Sequence, residues 1–254
     1  MLHVSHATAA APGTANEDYV IAGPTWIAVL DGATAPRGVE SGCVHDVRWL
    51  VRALARAVAD RIEEPWPLTR VLSEAIHATM RAHGDGCDLV NPDSPSTTVA
   101  LVRRTGDRFD YLVLCDSPIA IRHRDGTISV VADDRLDHLP GGHPYGLELV
   151  RSLRNRPGGF WVASTSPRAA AEAVTGSVPV ADVTGIGMFT DGVTRLVEWY
   201  GRSWGEVVGA LAEHGPASLL ADVREAERSR GAARGWGKLH DDATAAWVRP
   251  VLVT

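Results

Sequence analysis

The sequence predicts an α+β fold in which antiparallel sheets are covered by helices, and three observations predict it. Apolar runs of strand type fall in neighbouring groups joined by hairpin signals. Amphipathic helix patterns come in consecutive pairs. Strand and helix do not alternate in the strict order that a parallel sheet needs.

Taken in order, Leu2 to Ala7 reads as a strand, and Trp26 to Leu30 is an unbroken apolar run that stops at Asp31-Gly32. From Ser41 onward, Val44, Val47, Leu50, Val51, Leu54, Val58 and Ile62 recur at helical spacing opposite Arg48, Arg52 and Arg56, so a long amphipathic helix is expected. Pro65 and Pro67 end it, and Leu68, Val71, Leu72, Ala75, Ile76 and Thr79 stripe a second helix that fades near Gly84-Asp85-Gly86. Hairpin-like strands follow at Thr97 to Val102, Phe109 to Leu114, Ile119 to Arg122 and Thr127 to Val131, with turns at Gly106 and Asp125-Gly126. Between 137 and 159 the sequence is rich in Gly and Pro, with a short helix expected at Tyr145 to Leu153. Phe160 to Ala163 and Ile186 to Thr190 read as strands, the latter again ending in Asp-Gly, at Asp191-Gly192. Helices are expected over Val193 to Glu198, Ser203 to Glu213 and Pro216 to Arg228, and a last strand from Ala243 to Val253.

With 254 residues, 45% hydrophobic and 22% charged, the chain is expected to form a single domain, 1–254, around a sizeable core. A net charge of -6 argues against nucleic acid as a partner. No run reaches the ~20 apolar residues that span a bilayer, and Met1 to Ala11 lacks the pattern of a secretory leader. Cys43, Cys87 and Cys115 are widely spaced and fit neither a disulfide framework nor a C-x-x-C zinc site. A cytoplasmic monomer with no membrane partner is therefore expected.

Acidic groups stand at strand ends or turns: Asn16-Glu17-Asp18, Asp31-Gly32, Asp191-Gly192 and Asp241-Asp242. Carboxylates gathered there would repel one another unless a cation neutralised them, and oxygen donors select Mg²⁺ or Mn²⁺. Each Asp-Gly alone is an ordinary turn signal. Their order carries more: Asn16-Glu17-Asp18, Asp31-Gly32, Ser96-Thr97-Thr98, Cys115-Asp116-Ser117, Thr190-Asp191-Gly192 and Asp241-Asp242-Ala243-Thr244.

That series resembles the PP2C-type, metal-dependent serine/threonine phosphatases across essentially the whole chain. The resemblance implies a four-layer αββα sandwich, two antiparallel sheets flanked by helix pairs. It also implies two Mg²⁺ or Mn²⁺ ions. Asp31 would bridge them, with the Gly32 carbonyl and Glu17 on one side and Asp191 and Asp241 on the other. Asp18 would stand behind the ligands, and Asp116 would serve a third, weaker site. Catalysis would rest on Asp31, Asp191 and Asp241 through an activated water, and a flap is implied around 137–178. The implied substrate is a phosphoprotein.

Departures are specific. Gly13 stands where the family carries its phosphate-gripping arginine, so Arg37 and Arg195 are candidate replacements, against an ordinary solvated role for each. Ala33 and Thr34 supply no general acid; Cys115 replaces the glycine of GDS, Pro118 its following arginine, and Asp242 the asparagine of DN. Asp242 is expected as a solvated turn residue, Cys115 as a buried small hydrophobe, His143 and His240 in turns, and His45 and His77 as spectators within helices. Trp26, Trp161 and Trp247 are expected in the core, with Trp236 among those in more polar surroundings. The missing arginine keeps two further readings open: an enzyme of this fold acting on a small phosphorylated molecule or in another metal-assisted reaction, and a binding module that has lost catalysis.

Overall fold

The computed structural model describes residues 1–35, 38–142, 144–230 and 238–251. Arg37, His143 and Trp236 lie outside the described residues. Strand β1 (Leu2–Ala9) opens the chain, β2 (Tyr19–Ala22) and β3 (Trp26–Leu30) form a hairpin, and β4 (Gly32–Ala33) follows directly. Every residue of β3 is buried because its sheet is covered on both faces: Trp26, Ala28 and Leu30 meet helices, Ile27 and Val29 the opposite sheet.

Helix α1 (Val47–Ala59) starts where the Asp46 side chain accepts the Trp49 N–H at 2.8 Å, and α2 (Leu68–Ala82) starts after Pro67. Next come β5 (Ser96–Thr97), β6 (Val99–Thr105), β7 (Arg108–Leu114), β8 (Ile119–His123) and β9 (Ile128–Val131). The remainder is α3 (Leu147–Leu153), β10 (Val174–Pro179), β11 (Val183–Phe189), α4 (Asp191–Glu198), α5 (Trp204–His214), α6 (Pro216–Arg230) and β12 (Ala243–Pro250).

One five-stranded sheet runs β1-β12-β11-β8-β9, the other β10-β7-β6-β3-β2, with antiparallel neighbours throughout, and β4 pairs with β5 apart from both. Between the sheets lie Ile27, Val102 and Phe109 from one and Ile121, Met188 and Val248 from the other. Helices α1 and α2 cover the outer face of the second sheet through Val51, Leu54, Leu72 and Ile76. Helices α4 to α6 cover the first through Leu196, Leu211 and Val223, against Phe189 and Trp247. The layer order is thus αββα. A fully buried Leu or Phe contributes about 1.5–3 kcal/mol, an exposed pair such as Arg228–Glu225 at most about 1, so the apolar layers hold the fold.

Several elements differ from expectation. Strand β2 is new, and His45 precedes α1 instead of lying within it. Residues 160–163 make only isolated bridges, Thr97 with Ala163 and Arg154 with Phe160. The last part of the expected flap, 174–178, is an edge strand paired with β7. The α3 part of that excursion is fastened: Arg151 donates to Asp93 at 2.9 Å, and Arg154 to the carbonyls of Pro92 and Ser94. Among the described residues, no helix is long and apolar enough to cross a membrane.

Candidate metal centre

The acidic residues singled out in the sequence stand where the chain leaves one of the two sheets or passes between them. Glu17 and Asp18 precede β2, Asp31 ends β3, Asp116 sits between β7 and β8, Asp191 follows β11, and Asp241 precedes β12. The fold brings them to one seam, since Asp31 feels the charges of Asp18, Asp191, Asp116 and Asp241.

The backbone of Asp31 is held by Thr97, which ends β5, and Thr98, which follows it. The Thr98 N–H and the Thr97 hydroxyl donate to the Asp31 carbonyl at 2.9 and 2.8 Å, and the Asp31 N–H donates to Thr98 Oγ1 at 3.3 Å. Thr98 in turn bonds the buried Ser117 hydroxyl at 2.5 Å, which ties the Asp31 turn to the Asp116 turn. Gly32 is required by close approach, because a Cβ there would lie 2.6 Å from the Glu17 carbonyl oxygen.

Asp18 is buried behind these groups and fastens the strands that bear Asp191 and Asp241. Its Oδ2 accepts the Thr190 hydroxyl at 2.9 Å and the Thr244 hydroxyl at 2.7 Å, while the Thr244 N–H donates to Thr190 Oγ1. Its Oδ1 has no partner. Burial pushes the Asp18 carboxyl up to about 6, against the pull of the two threonine bonds.

Asp31 and Asp191 are pushed well above the usual carboxylate range, first by burial and then by neighbouring aspartates. Asp191 rises although it opens α4, where the helix N-terminus favours negative charge. Gly192 beside it lies against the Asp242 carbonyl, leaving no room for a Cβ. Asp241 differs: its Oδ2 accepts from Arg195 at 2.5 Å, and Lys238 Nζ lies 3.4 Å from its Oδ1. Arg195, a candidate for gripping phosphate, is not a solvated surface residue. It is 4% exposed, stacked 4.3 Å over Trp199 and committed to Asp241.

Asp116 is raised by burial, with Asp137 and Asp133 adding to the effect. Glu198, raised mainly by burial, feels Asp137 and Asp116 as well, so Asp137 and Glu198 join this end of the seam without any motif to announce them. Cys115 holds the glycine place of the GDS pattern at φ +66, a conformation costing a side-chain-bearing residue about 1–2 kcal/mol. The buried Asp133 carboxylate takes its N–H at 2.9 Å, and Leu139, Phe160 and Val162 enclose the thiol. Burial and the charges of Asp116 and Asp133 push that thiol up, away from nucleophilic thiolate.

Asp242 is a clamp and not a solvated turn residue: its carboxylate accepts the Ala11 N–H at 2.8 Å and the Glu17 N–H at 2.6 Å. His240 bonds the buried Glu227 at 2.7 Å. Glu17 accepts the Thr34 hydroxyl at 2.7 Å and is raised, chiefly by burial.

The donor set fits a hard divalent cation. It offers only oxygen ligands, it includes an unpartnered buried carboxylate oxygen on Asp18, and burial together with neighbouring aspartates raises Asp31 and Asp191. Among the described residues, Asp31, Asp191 and Asp241 do not bring three oxygens within 4.8 Å of one another, and Asp241 is turned to Arg195. Glu17, Asp31, Gly32 and Asp241 line a cleft of about 730 Å³ together with Arg48 and Lys238. Asp31, Asp116 and Asp191 line an adjoining pocket of about 380 Å³ with Tyr145 and Arg151. Asp31 stands between the two.

A sequence model of the protein phosphatase 2C family matches residues 7–223. The serine/threonine phosphatase PstP/Ppp of Mycobacterium tuberculosis superposes with a TM-score of 0.60 at 18% identity, covering 98% of each chain. The catalytic domain of PstP in complex with two manganese ions gives 0.58 at 19% identity, over 98% of this chain and 97% of that one. The phosphatase Stp1 of Staphylococcus aureus gives 0.63 at 14% identity, over 99% and 96%. No curated protein matches the sequence. These structural likenesses speak for the fold, and the family match over 7–223 goes further: the chain belongs to the protein phosphatase 2C family.

Proposed function

We propose that this chain is a divalent-metal-dependent phosphatase acting on phosphoserine and phosphothreonine in proteins. Mg²⁺ or Mn²⁺ would be held by Glu17, Asp31, the Gly32 carbonyl, Asp191 and Asp241, with Asp116 serving a further, weaker site. The observation that supports it most is the convergence on Asp31 of four other aspartates, which leaves a buried excess of negative charge. When bound, such ions would acidify a water and hold the phosphoryl oxygens.

This chain's own residues do the rest. Asp18 holds Thr190 and Thr244, and thereby the strand ends beneath Asp191 and Asp241. Asp242 ties the loop of Glu17 to the same strand end. Lys238, beside Asp241, and Arg48, paired with Asp46, line the cleft and are the cations that a substrate phosphate would meet there, where Gly13 offers none. Partial burial works against the Lys238 ammonium, although its side chain is largely exposed, and Asp241, Asp191 and Glu17 outweigh it, so its pKa is raised. No protein group is assigned as general acid, so a water held in the site would protonate the leaving serine or threonine oxygen.

Hydrolysis of para-nitrophenyl phosphate and of phosphoserine peptides with Mn²⁺ tests this reading. Asp31→Asn and Asp191→Asn should each lose at least ~100-fold in kcat, and Lys238→Ala should raise KM for the peptide. Wild type no faster than Asp31→Asn on any substrate would sink the proposal. Turnover confined to phosphorylated metabolites would favour the small-molecule reading, for which the missing arginine at Gly13 is the motive.

A further inference from the structure

A second group of metal-ligand side chains lies on the α1/α2 side of the cleft. Cys43 belongs to the loop between β4 and α1, while His83 and Cys87 flank the 3₁₀ turn Gly84–Gly86 at the end of α2. The Cys43 Sγ is 2.8 Å from the Cys87 Sγ and 3.3 Å from Nδ1 of His83. All three ligand atoms lie within 4.8 Å of one another, which no other trio of such groups achieves among the described residues. The sulfurs are free thiols.

The surroundings hold these atoms in place. His83 is 4% exposed, fixed by edge contacts of 4.6 Å to Trp49 and 5.6 Å to His45, and burial keeps its imidazole neutral. The His45 N–H points at the Cys43 Sγ at 3.4 Å, a donor suited to a thiolate. The two loops are stitched on either side: the Asp88 N–H donates to the Gly42 carbonyl at 2.7 Å, and Asn91 Nδ2 to the Glu40 carbonyl at 3.2 Å. At φ +68 and with Asn91 pressed against it, Gly42 has the one side chain that this junction admits.

We propose that Cys43, His83 and Cys87 form a binding site for one zinc ion, distinct from the acidic centre, as three of its four ligands. Two sulfurs and an imidazole nitrogen are the soft set that selects zinc over Mg²⁺ or Mn²⁺, whereas the carboxylates of the seam select the reverse. Binding releases two thiol protons to solvent and transfers no electrons. The sequence carries a trace of it in Cys43-x-His45 and His83-x-x-x-Cys87, spacings that no C-x-x-C search detects. Because Val39, Ser41, His45 and Asp46 wall the cleft beside Asp31, the ion would brace that wall against α2.

Elemental analysis of the full chain, purified without chelator, is the test. Wild type and Asp31→Asn should each retain about one zinc per chain, and the Cys43→Ser/Cys87→Ser double variant should lose it. Replacement by Co²⁺ should give a sulfur-to-cobalt charge-transfer band in wild type, in Asp31→Asn and in Cys115→Ser. Should the double variant misfold, alkylation of the wild type decides: Cys43 and Cys87 should react with iodoacetamide only after chelation. Zinc absent, a cobalt band that survives loss of both cysteines, alkylation indifferent to chelator, or a Cys43–Cys87 disulfide in fresh metal-free protein would each overturn the assignment.

Discussion

At the scale of single residues, the site is shaped as much by what lacks a side chain as by its carboxylates. Gly192 touches the Asp242 carbonyl, so Gly192→Ala must displace either Asp191 or the entry to β12. It should cost at least ~2 kcal/mol in urea unfolding and most of the activity. Gly209, inside α5 with open space around its Cα, gives the contrast: Gly209→Ala should stabilise by about 0.5–1 kcal/mol and leave turnover alone. Equal effects at the two positions would refute the steric account. The aspartates themselves were legible because a carboxylate ending an apolar run is a local pattern. The tasks of Arg195 and Asp242 were not, because their partners lie 46 and 225 residues away in the chain.

At the scale of elements, caps and edges separate what sequence shows from what it hides. The capping box at α5 is visible as Ser203-x-x-Glu206, and both of its bonds form. Ser203→Ala should cost about 1 kcal/mol, a fall of roughly 2–4 °C in Tm, with kcat unchanged. A drop in kcat would mean that α5 bears on the site in a way its position does not suggest. Strand β3 was legible as a buried run, whereas β2 and β10 were not. Both are short edge strands, β10 contains Gly176 and Pro179, and neither carries an alternating pattern strong enough to outweigh turn residues. The run 160–163 misled for the opposite reason: Phe160 and Val162 are buried against Cys115 and the α3 region, and Trp161 and Ala163 in the core under α1 and α2, not in a ladder.

At the scale of the molecule, the layered fold was legible from grouping of strands and helices, and the convergence of the acidic ends followed from motif order. What remained hidden was the charge balance. The folded pKa of Asp18 is raised, to about 6 from an ordinary 3.8, so its contribution to stability is fully present below about pH 3.8 and lost as pH rises through about 6. Asp31 and Asp191, also raised, act in the same direction. In chelator, Tm should therefore fall from pH 5 to pH 8 more in wild type than in Asp18→Asn, and saturating Mn²⁺ should raise wild-type Tm more at pH 8 than at pH 5. A chelated wild type whose Tm stays level or climbs over that interval would contradict the charge excess.

Asp31 leaves one sheet and Asp191 the other, and the contact between those sheets is apolar side chains such as Phe109 and Met188. The spacing of the two carboxylates is consequently a calliper reading of how thick that greasy filling is. Trimming the filling, as in Met188→Ala, would let the jaws close or skew, and turnover would register a change made entirely in hydrocarbon.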